Sequence, residues 1–409
     1  MYNPSLLFAM PSPIYVLEEE KLEQNLAILD SIQKLSGSKI LLALKGYAFW
    51  RKFENLKQIL SGSTASGLYE ARLGYEEIGA RKQNKELCVF APAYKESEIN
   101  EILNYATHII FNSFNQWQKF LPLIESKNQK LCAASLSPIE VGLRVNPLYS
   151  EVEPPIYNPC IAGSRLGIPP QEFEKGVAKY GLEGISGLHF HTHCEQDSTA
   201  LERTLPHFEK HFGAYLKGKK WVNFGGGHHI TRKDYHREFL VRLIKDFKKH
   251  YDDIEVYLEP GEAVGWQVGF LLGEVLDIVY NPMPIAIVDV SASAHMPDCL
   301  EMPYRPLLKK VSRKDSHIQI EADLGENVGA YTYRLGGPTC LAGDVIGDYS
   351  FSTPLNIGDR VIFEDMLHYT IVKNNTFNGV PLPSLGSIGC DGTFSLLKSF
   401  SYEDYKSRN

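Results

Sequence analysis

The sequence predicts an α/β protein: a (β/α)8 TIM barrel, followed by an antiparallel β domain that also takes in the N-terminal strand. Three observations support this prediction. Apolar runs alternate with segments of helical periodicity from Glu18 to about Gly265. Polar, glycine-rich and histidine-rich residues follow these runs, as they do at the C-terminal ends of barrel strands. Beyond Gly265 the apolar runs shorten and helical periodicity fades, which is typical of an antiparallel sheet.

The barrel is predicted to span residues 18–264. Ile14–Leu17 forms a strand before it, and Glu18–Leu35 has helical spacing of leucines. A doubly wound open sheet is the competing topology, because a strand count does not show closure. The predicted barrel strands are Lys39–Leu44, Ser61–Gly67, Leu87–Phe90, His108–Asn112, Val141–Asn146, Gly187–His193, Trp221–Phe224 and Glu255–Glu259.

The β domain is predicted to comprise residues 1–17 plus 265–409. Its short apolar segments are separated by Pro, Gly and Asn, which favour turns. Ile14–Leu17 is expected to pair into this domain. The other predicted strands are Gly273–Val279, Ile285–Val290, Ile318–Glu321, Asp344–Tyr349, Arg360–Phe363 and Thr370–Val372.

Composition narrows the class of protein. The 409 residues are 44% hydrophobic and 22% charged, with a formal net charge of −7, which is ordinary for a globular protein and does not support nucleic-acid binding. The mild acidity favours a cationic substrate. No apolar run approaches membrane-spanning length and Met1–Pro13 lacks a signal-peptide pattern, so we expect a cytoplasmic protein. Seven scattered cysteines without a CxxC pair predict neither a disulfide framework nor structural zinc.

Lys45 is the first candidate catalytic residue. It follows the apolar run Ile40–Leu44, at the point where a predicted strand leaves the core. Desolvation there favours the neutral amine, which is the form that condenses with a carbonyl to make a Schiff base. A lysine that extends from a strand end into water is the alternative interpretation.

Two further strand ends carry candidate binding residues. Gly225, Gly226 and Gly227 follow Trp221–Phe224, and consecutive glycines let backbone N–H groups approach a phosphate closely. Glycines also form plain turns, so this motif alone is a weak signal. Glu259 ends the eighth barrel strand, where a carboxylate can keep the nitrogen of a bound pyridine ring protonated.

Three histidines occur at period two in Leu188–Cys194. His189, His191 and His193 are therefore expected on one face of a strand. One interpretation is a single histidine stacked on a flat ring with the others packed around it. The other is a metal-dependent barrel hydrolase, which is weakened because no carboxylate follows with ordinary ligand spacing.

A glycine-containing turn presents Cys340. The turn runs from Gly336 through Thr339 to Cys340, with Asp344 close behind. Taken alone, this cysteine is more simply interpreted as buried than as chemically active.

Together these motifs resemble those of the fold-type III pyridoxal-phosphate decarboxylases, the alanine-racemase-like group that includes ornithine and diaminopimelate decarboxylases. They occur in that family's order along nearly the whole chain. The matching residues are Ala43-Leu44-Lys45, His191, Gly225–Gly227, Glu259-Pro260-Gly261, Gly337–Cys340 and Asp365–Thr370.

The resemblance implies a cofactor, pyridoxal 5′-phosphate, and roles for particular residues. Lys45 would bond the cofactor covalently, His191 would stack on its ring and Glu259 would pair with the ring nitrogen. The glycines and Tyr369 would hold the phosphate, with Arg144 and Cys194 lining the same cavity. Cys340 would donate a proton after CO2 leaves, from a loop that reaches the active site of the partner in an obligate homodimer.

Within that family the chain is most similar to the branch that acts on carboxylated polyamines, carboxynorspermidine and carboxyspermidine. Gly187–Glu195, Asn223–His229 and His295–Asp298 carry this similarity. Two departures make ornithine a poor substrate: Glu262 replaces an arginine after Glu-Pro-Gly, and Leu341 replaces an aspartate after the cysteine. The residues assigned to substrate binding are Glu262, Asp298 and Asp344, whose carboxylates suit the ammonium groups of a polyamine.

Two alternatives stay open within the fold. A meso-diaminopimelate decarboxylase would need arginines for the distal carboxylate of its substrate, and Arg165 could supply one. A non-catalytic relative would have kept the fold without the cofactor, but the joint presence of Lys45, Glu259 and Cys340 argues against it.

Overall fold

The computed structural model describes residues 4–314 and 317–409. It divides into two compact units. The barrel unit is Asn25–Val264, and the sheet unit joins the chain up to Gln24 to Gly265–Asn409. Residues 1–3, 315 and 316, which the sequence assigns to the β domain, lie outside the described residues.

The barrel unit holds a closed barrel of parallel strands, which confirms the predicted fold class. Each strand pairs with the next, and the last pairs with the first. Strand β1 (Ile14–Glu18) precedes them and belongs to the sheet unit. The barrel strands are β2 (Lys39–Ala43), β3 (Gly62–Ala65), β4 (Glu86–Phe90), β5 (His108–Phe111), β6 (Glu140–Arg144), β7 (Ile185–His189), β8 (Trp221–Asn223) and β9 (Glu255–Leu258).

Helices separate the barrel strands, as the periodicity predicts. The interior is packed with side chains, including Trp221, whose ring packs closely on Gly187: a Cβ atom on Gly187 would lie 2.2 Å from it. The helices of this part of the chain are Glu19–Ser36, Glu54–Ile59, Leu68–Glu77, Glu96–Tyr105, Phe114–Ala133, Pro170–Tyr180, Ser198–Phe212, Arg237–His250 and Glu262–Gly265.

One barrel strand is shorter than predicted. β7 ends at His189 instead of His193 because its neighbour β8 ends at Asn223, the partner of His189. The Phe190 N–H still donates to the Asn223 carbonyl at 2.9 Å, and then the chain leaves the barrel. The expectation that His189, His191 and His193 share one face of a strand is therefore wrong.

In the part of the sheet unit that the structure describes, ten strands form one sheet, which includes β1, as predicted. Most of its pairs are antiparallel, but β1 runs parallel to Ser384–Ile388, and Pro284–Val288 runs parallel to Tyr331–Gly336. The sheet is therefore mixed. Its other strands are β10 (Gly269–Tyr280), β11 (Pro284–Val288), β12 (Leu308–Lys314), β13 (His317–Ala322), β14 (Tyr331–Gly336), β15 (Val345–Phe351), β16 (Arg360–Glu364), β17 (Ser384–Ile388) and β18 (Phe394–Lys398).

The sequence prediction misses β12, β14, β17 and β18, and wrongly makes Thr370–Val372 a strand. The missed strands carry polar or glycine residues and are only partly buried, so the apolar signal is weak. Thr370–Lys373 is a short helix that begins after Tyr369, whose φ of 41° interrupts any extended chain. The remaining short helices are Leu6–Ala9, Ala292–His295, Asp298–Glu301 and Tyr402–Lys406.

β1 is buried on both faces. Tyr15 packs into one apolar cluster of the sheet unit, while Ile14 and Val16 pack into another. Side chains alternate across a strand, so a strand covered on both faces has a continuous apolar run, here Ile14–Leu17 before the partly buried Glu18. Among the described helices, none is long and apolar enough to cross a membrane.

Candidate active site

Lys45 lies two residues beyond β2, in a tight turn where the N–H groups of Gly46 and Tyr47 donate to the Ala43 carbonyl at 3.0 and 3.2 Å. Its side chain is exposed, so the amine is accessible to a ligand. Although the side chain is accessible to solvent, the protein atoms around it replace part of its hydration and lower the pKa of Lys45, and the nearby charge of Arg144 lowers it further. The negative charge of Glu259 opposes this effect. The neutral amine is therefore more populated than in a free lysine.

Glu259 follows β9 directly and is buried. Its two oxygens have separate partners: Asn223 Nδ2 donates to Oε1 at 2.8 Å, and His189 Nε2 lies 3.3 Å from Oε2. Burial alone would raise the pKa of Glu259, but His189, Asn223 and Lys45 together lower it to about 2. This ionisation stabilises the fold above about pH 4.5, and that stabilisation is lost as pH falls towards 2.

The three histidines have three different environments. His191 Nδ1 accepts the Gly226 N–H at 2.8 Å, and His193 Nδ1 lies 2.9 Å from Gln196 Oε1. His189 instead faces Glu259. Burial lowers the pKa of all three, so each imidazole is neutral at physiological pH. Their nitrogen atoms do not converge, which removes the geometric support for a metal-dependent hydrolase built on these histidines.

The glycines are in tight contact with neighbouring backbone. Gly225 and Gly227 have φ angles of 71° and 82°, which favour glycine. A Cβ atom on Gly226 would lie 2.4 Å from the Glu259 carbonyl oxygen. The Gly225 N–H donates to Asn223 Oδ1 at 2.8 Å, and the Gly226 N–H holds His191. Two N–H groups of the predicted phosphate cradle are thus already used inside the protein, and the cradle depends on Gly227 and on residues beyond this motif.

Arg144 ends β6 and is buried. Its guanidinium lies 4.5 Å from the centre of the Phe90 ring and donates to the His191 carbonyl at 3.3 Å. Burial lowers its pKa to about 10, so it stays charged. Cys194 is half-buried and within electrostatic reach of Lys45. The barrel unit thus brings Arg144, Cys194, Lys45 and Glu259 to one end of the barrel.

A second group of polar residues is formed by two loops of the barrel unit and the start of the Glu262–Gly265 helix. The side-chain ligand atoms of Glu195, His229 and Glu262 all lie within 4.8 Å of one another, and His229 Nε2 is 3.9 Å from Glu262 Oε1. His229 is buried and Glu195 is exposed. Of the predicted substrate-binding residues, Glu262 therefore lies in a concentrated negative environment.

Cys340 belongs to the sheet unit and is exposed, unlike the buried residue that the turn alone suggests. Asn378 Oδ1 accepts its N–H at 2.8 Å. Asp344 anchors the same loop from inside: its carboxylate accepts Thr339 Oγ1 at 2.6 Å and Ser291 Oγ at 2.9 Å. Its expected role in substrate binding fits this environment poorly, because binding would break these bonds.

Asp298 and Tyr369 are also in the sheet unit. Lys373 pairs with Asp298 and, at 2.7 Å, with Glu301. Burial alone would lower the pKa of Lys373, but the two carboxylates raise it to about 12. A substrate ammonium would have to compete with this lysine for Asp298. Tyr369 is half-buried at the start of the Thr370–Lys373 helix.

Sequence reasoning missed several residues of the barrel site. No role was assigned to Asn223, although it lies two residues before Gly225, holds the Gly225 N–H and donates to Glu259. Glu70 was also missed: it is within electrostatic reach of Lys45, and one of its oxygens accepts the Ser66 N–H at 2.6 Å. Carboxylates and amides at successive strand ends are the signal that could have found Asn223.

Arg165, which the sequence offered for the distal carboxylate of a diaminopimelate substrate, is exposed.

Comparisons with known proteins agree with this geometry. The family model described as "Pyridoxal-dependent decarboxylase, C-terminal sheet domain" matches residues 15–366. Carboxyaminopropylagmatine decarboxylase of Synechocystis is 43% identical over 99% of this chain and 97% of its own length. Carboxynorspermidine/carboxyspermidine decarboxylase of Campylobacter jejuni is 45% identical over 97% of this chain and 98% of its own.

A solved structure is equally similar. Carboxynorspermidine decarboxylase of Campylobacter jejuni, crystallised with norspermidine, superposes with a TM-score of 0.83 at 44% identity, covering 98% of this chain and 100% of that one. By contrast, diaminopimelate decarboxylase of Methanocaldococcus jannaschii is 22% identical over 64% of this chain.

A barrel with an accessible lysine and an ionised buried glutamate at its strand ends, joined to a β-sheet unit, is the architecture of a pyridoxal-dependent decarboxylase. The chain belongs to this family, and within it to the group of the carboxynorspermidine/carboxyspermidine and carboxyaminopropylagmatine decarboxylases. The predicted family is thereby confirmed.

Proposed function

We propose that the protein binds pyridoxal 5′-phosphate and removes the Cα carboxyl group of carboxynorspermidine or carboxyspermidine. The observation that supports this most directly is the placement of Lys45 and Glu259. An accessible amine of lowered pKa and a buried ionised carboxylate lie at the same end of one barrel. When bound, the cofactor supplies an electron sink for the electron pair left by the departing CO2.

Residues of the barrel and of the sheet unit are assigned to attaching, stacking and binding the cofactor. Lys45 is the covalent attachment point for the cofactor aldehyde. His191, held by Gly226, offers a flat neutral ring for stacking, and Glu259 offers a carboxylate for the ring nitrogen. Arg144 and Cys194, at the same end of the barrel, are assigned to the surroundings of the cofactor. Gly225–Gly227 and Tyr369 are assigned to the phosphate. Because the N–H groups of Gly225 and Gly226 already donate to Asn223 and His191, Gly227 is the main backbone donor that remains in this motif.

The direct test is CO2 release from the protein supplied with pyridoxal phosphate. Carboxynorspermidine, carboxyspermidine, carboxyaminopropylagmatine, meso-diaminopimelate, ornithine and arginine are compared side by side. Preference for the first two supports the proposal. Preference for carboxyaminopropylagmatine, which the 43% identical relative makes the second candidate, would keep the chemistry but change the substrate. No turnover with any of the six would contradict decarboxylation of these compounds.

Glu262 is proposed to bind an ammonium group of the polyamine, together with Glu195. Glu262→Gln removes one charge-assisted hydrogen bond, and we expect kcat/KM for carboxynorspermidine to fall about ten- to a hundredfold. The loss of kcat/KM should be smaller for short diamino acids, because their distal ammonium group does not reach Glu262. Steady-state kinetics on both substrate types measures the difference.

The matched control for this prediction is Glu183→Gln. Glu183 is an exposed carboxylate before β7, at the opposite end of the strands, so its loss changes the charge without touching the site. Equal losses on long and short substrates for Glu262→Gln would contradict its role in binding the distal ammonium.

The protein is further proposed to act as a homodimer in which Cys340 protonates the product carbon in the partner's barrel. Lys45→Ala and Cys340→Ala should each be inactive alone. After mixing and subunit exchange, activity should partly return, because a mixed dimer then holds one site with both residues. Exchange without recovered activity would show that each subunit uses its own Cys340.

A further inference from the structure

His189 is a buried side chain with no role in the mechanism described so far. It is the last residue of β7, and its ring stacks on Phe90 with a centroid separation of 5.6 Å. Its Nε2 atom lies 3.3 Å from Glu259 Oε2. Its Nδ1 atom is buried and has no hydrogen-bond partner among the described residues.

These contacts define the tautomer of His189. An ionised carboxylate can only accept hydrogen bonds, so the proton of the neutral imidazole lies on Nε2, directed at Glu259. The unpartnered Nδ1 then carries the lone pair. Burial lowers the pKa of His189, which keeps this neutral form at physiological pH.

Glu259 therefore receives a neutral N–H donor on each oxygen, from His189 on Oε2 and from Asn223 on Oε1. Neutral donors stabilise the anion and orient its plane without cancelling its charge. A lysine or arginine in the same position would form an ion pair with Glu259 and compete with any cationic ring nitrogen.

We propose that His189 is a positioning residue that, together with Asn223, holds the Glu259 carboxylate ionised and directed at the ring nitrogen of the pyridoxal cofactor. This inference rests on the proposed function, since it assumes that the cofactor binds at Glu259. It predicts that His189 affects cofactor affinity through the ionisation of Glu259, and therefore in a pH-dependent way that a stacking contact alone would not produce.

The effect of His189 on cofactor affinity should depend on pH. Among the described residues, the titratable groups that interact with Glu259 include Lys45, Arg144, His189 and Cys88. Lys45 and Arg144 favour the anion, and burial opposes it. Removing the His189 donor should raise the pKa of Glu259, so the anion is lost at a higher pH as the solution is acidified. Cofactor affinity should then weaken most on the acid side.

The test measures the dissociation constant of pyridoxal phosphate for the apoprotein by absorbance titration, from about pH 5 to pH 8. His189→Phe keeps a ring against Phe90 but removes the donor. We expect about tenfold weaker binding, the effect of losing one hydrogen bond to a charged group, with a larger loss at low pH. His189→Gln retains an N–H donor and should recover most of the affinity.

His108→Phe is the matched control, because His108 is a buried histidine of the same barrel that faces Glu140 instead of Glu259. It should bind the cofactor like the unmodified protein. If His189→Phe does not fold, Asn223→Leu removes the donor on the other oxygen and should shift the affinity in the same direction.

Two results would overturn the inference. One is unchanged affinity across the pH range in folded His189→Phe. The other is a loss in His189→Gln equal to that in His189→Phe, which would mean that the ring acts by packing alone. Failure of the unmodified protein to bind pyridoxal phosphate would instead refute the proposed cofactor site itself.

Discussion

Lys45→Ala is expected to lose decarboxylation, with kcat reduced by on the order of a thousandfold or more, while the fold stays intact. The exposed Lys45 side chain lies beyond the end of β2, so its removal leaves no core cavity. What disappears is the accessible amine whose lowered pKa favours attack on a carbonyl. CO2 release and far-ultraviolet circular dichroism measure the two parts of this prediction.

The control for Lys45 is Lys57→Ala. Lys57 lies on the Glu54–Ile59 helix and pairs with Glu54, away from the strand ends that carry the site. It should retain full activity. Substantial turnover by Lys45→Ala would refute covalent attachment at this residue.

Glu259→Gln is expected to lower kcat/KM by roughly a hundredfold to a thousandfold. The amide is neutral, so it cannot pair with a cationic ring nitrogen. Both oxygens of the carboxylate accept hydrogen bonds, one near His189 and the other from Asn223. In the amide one of these oxygens becomes an NH2 group, which would point its own hydrogens at a donor. Steady-state kinetics and the absorbance of the bound cofactor together report the loss.

Glu255→Gln provides a control on the same strand. Glu255 starts β9 at the opposite end and pairs with Lys39 at 2.7 Å. Its replacement should lower the melting temperature slightly and leave kcat/KM close to that of the unmodified protein. If Glu259→Gln kept normal kcat/KM, the ring-nitrogen role would be excluded.

Much of the barrel site can be predicted because parallel strands place their ends together. Lys45, Gly225 and Glu259 each follow a predicted strand, and that local pattern is enough to put them at the C-terminal edge of parallel strands, although it does not by itself show that the strands close into a barrel. The identity of the cofactor was not in the pattern. It came from the resemblance of several ordered motifs to a known family.

The remaining features depend on tertiary contacts that no local pattern contains. His191 and His193 were expected on one strand face, but strand length is set by the neighbouring strand β8, not by the histidines. Glu195 and His229 come from two loops and Glu262 from the first turn of a short helix, so no single stretch of sequence contains the group. Asp344 was assigned to substrate binding because nothing in its sequence neighbourhood reveals the buried hydroxyl of Ser291 that donates to it.

The hydrogen bond from Gly226 to His191 bears on how the protein takes up and releases its cofactor. It ties the His191 ring to the glycine segment through protein atoms alone, and Asn223 holds both Gly225 and Glu259 in the same way. These groups therefore have little conformational entropy left to lose when the cofactor arrives. We expect an apoprotein whose barrel site is already formed, able to release its vitamin-derived cofactor and reload without refolding.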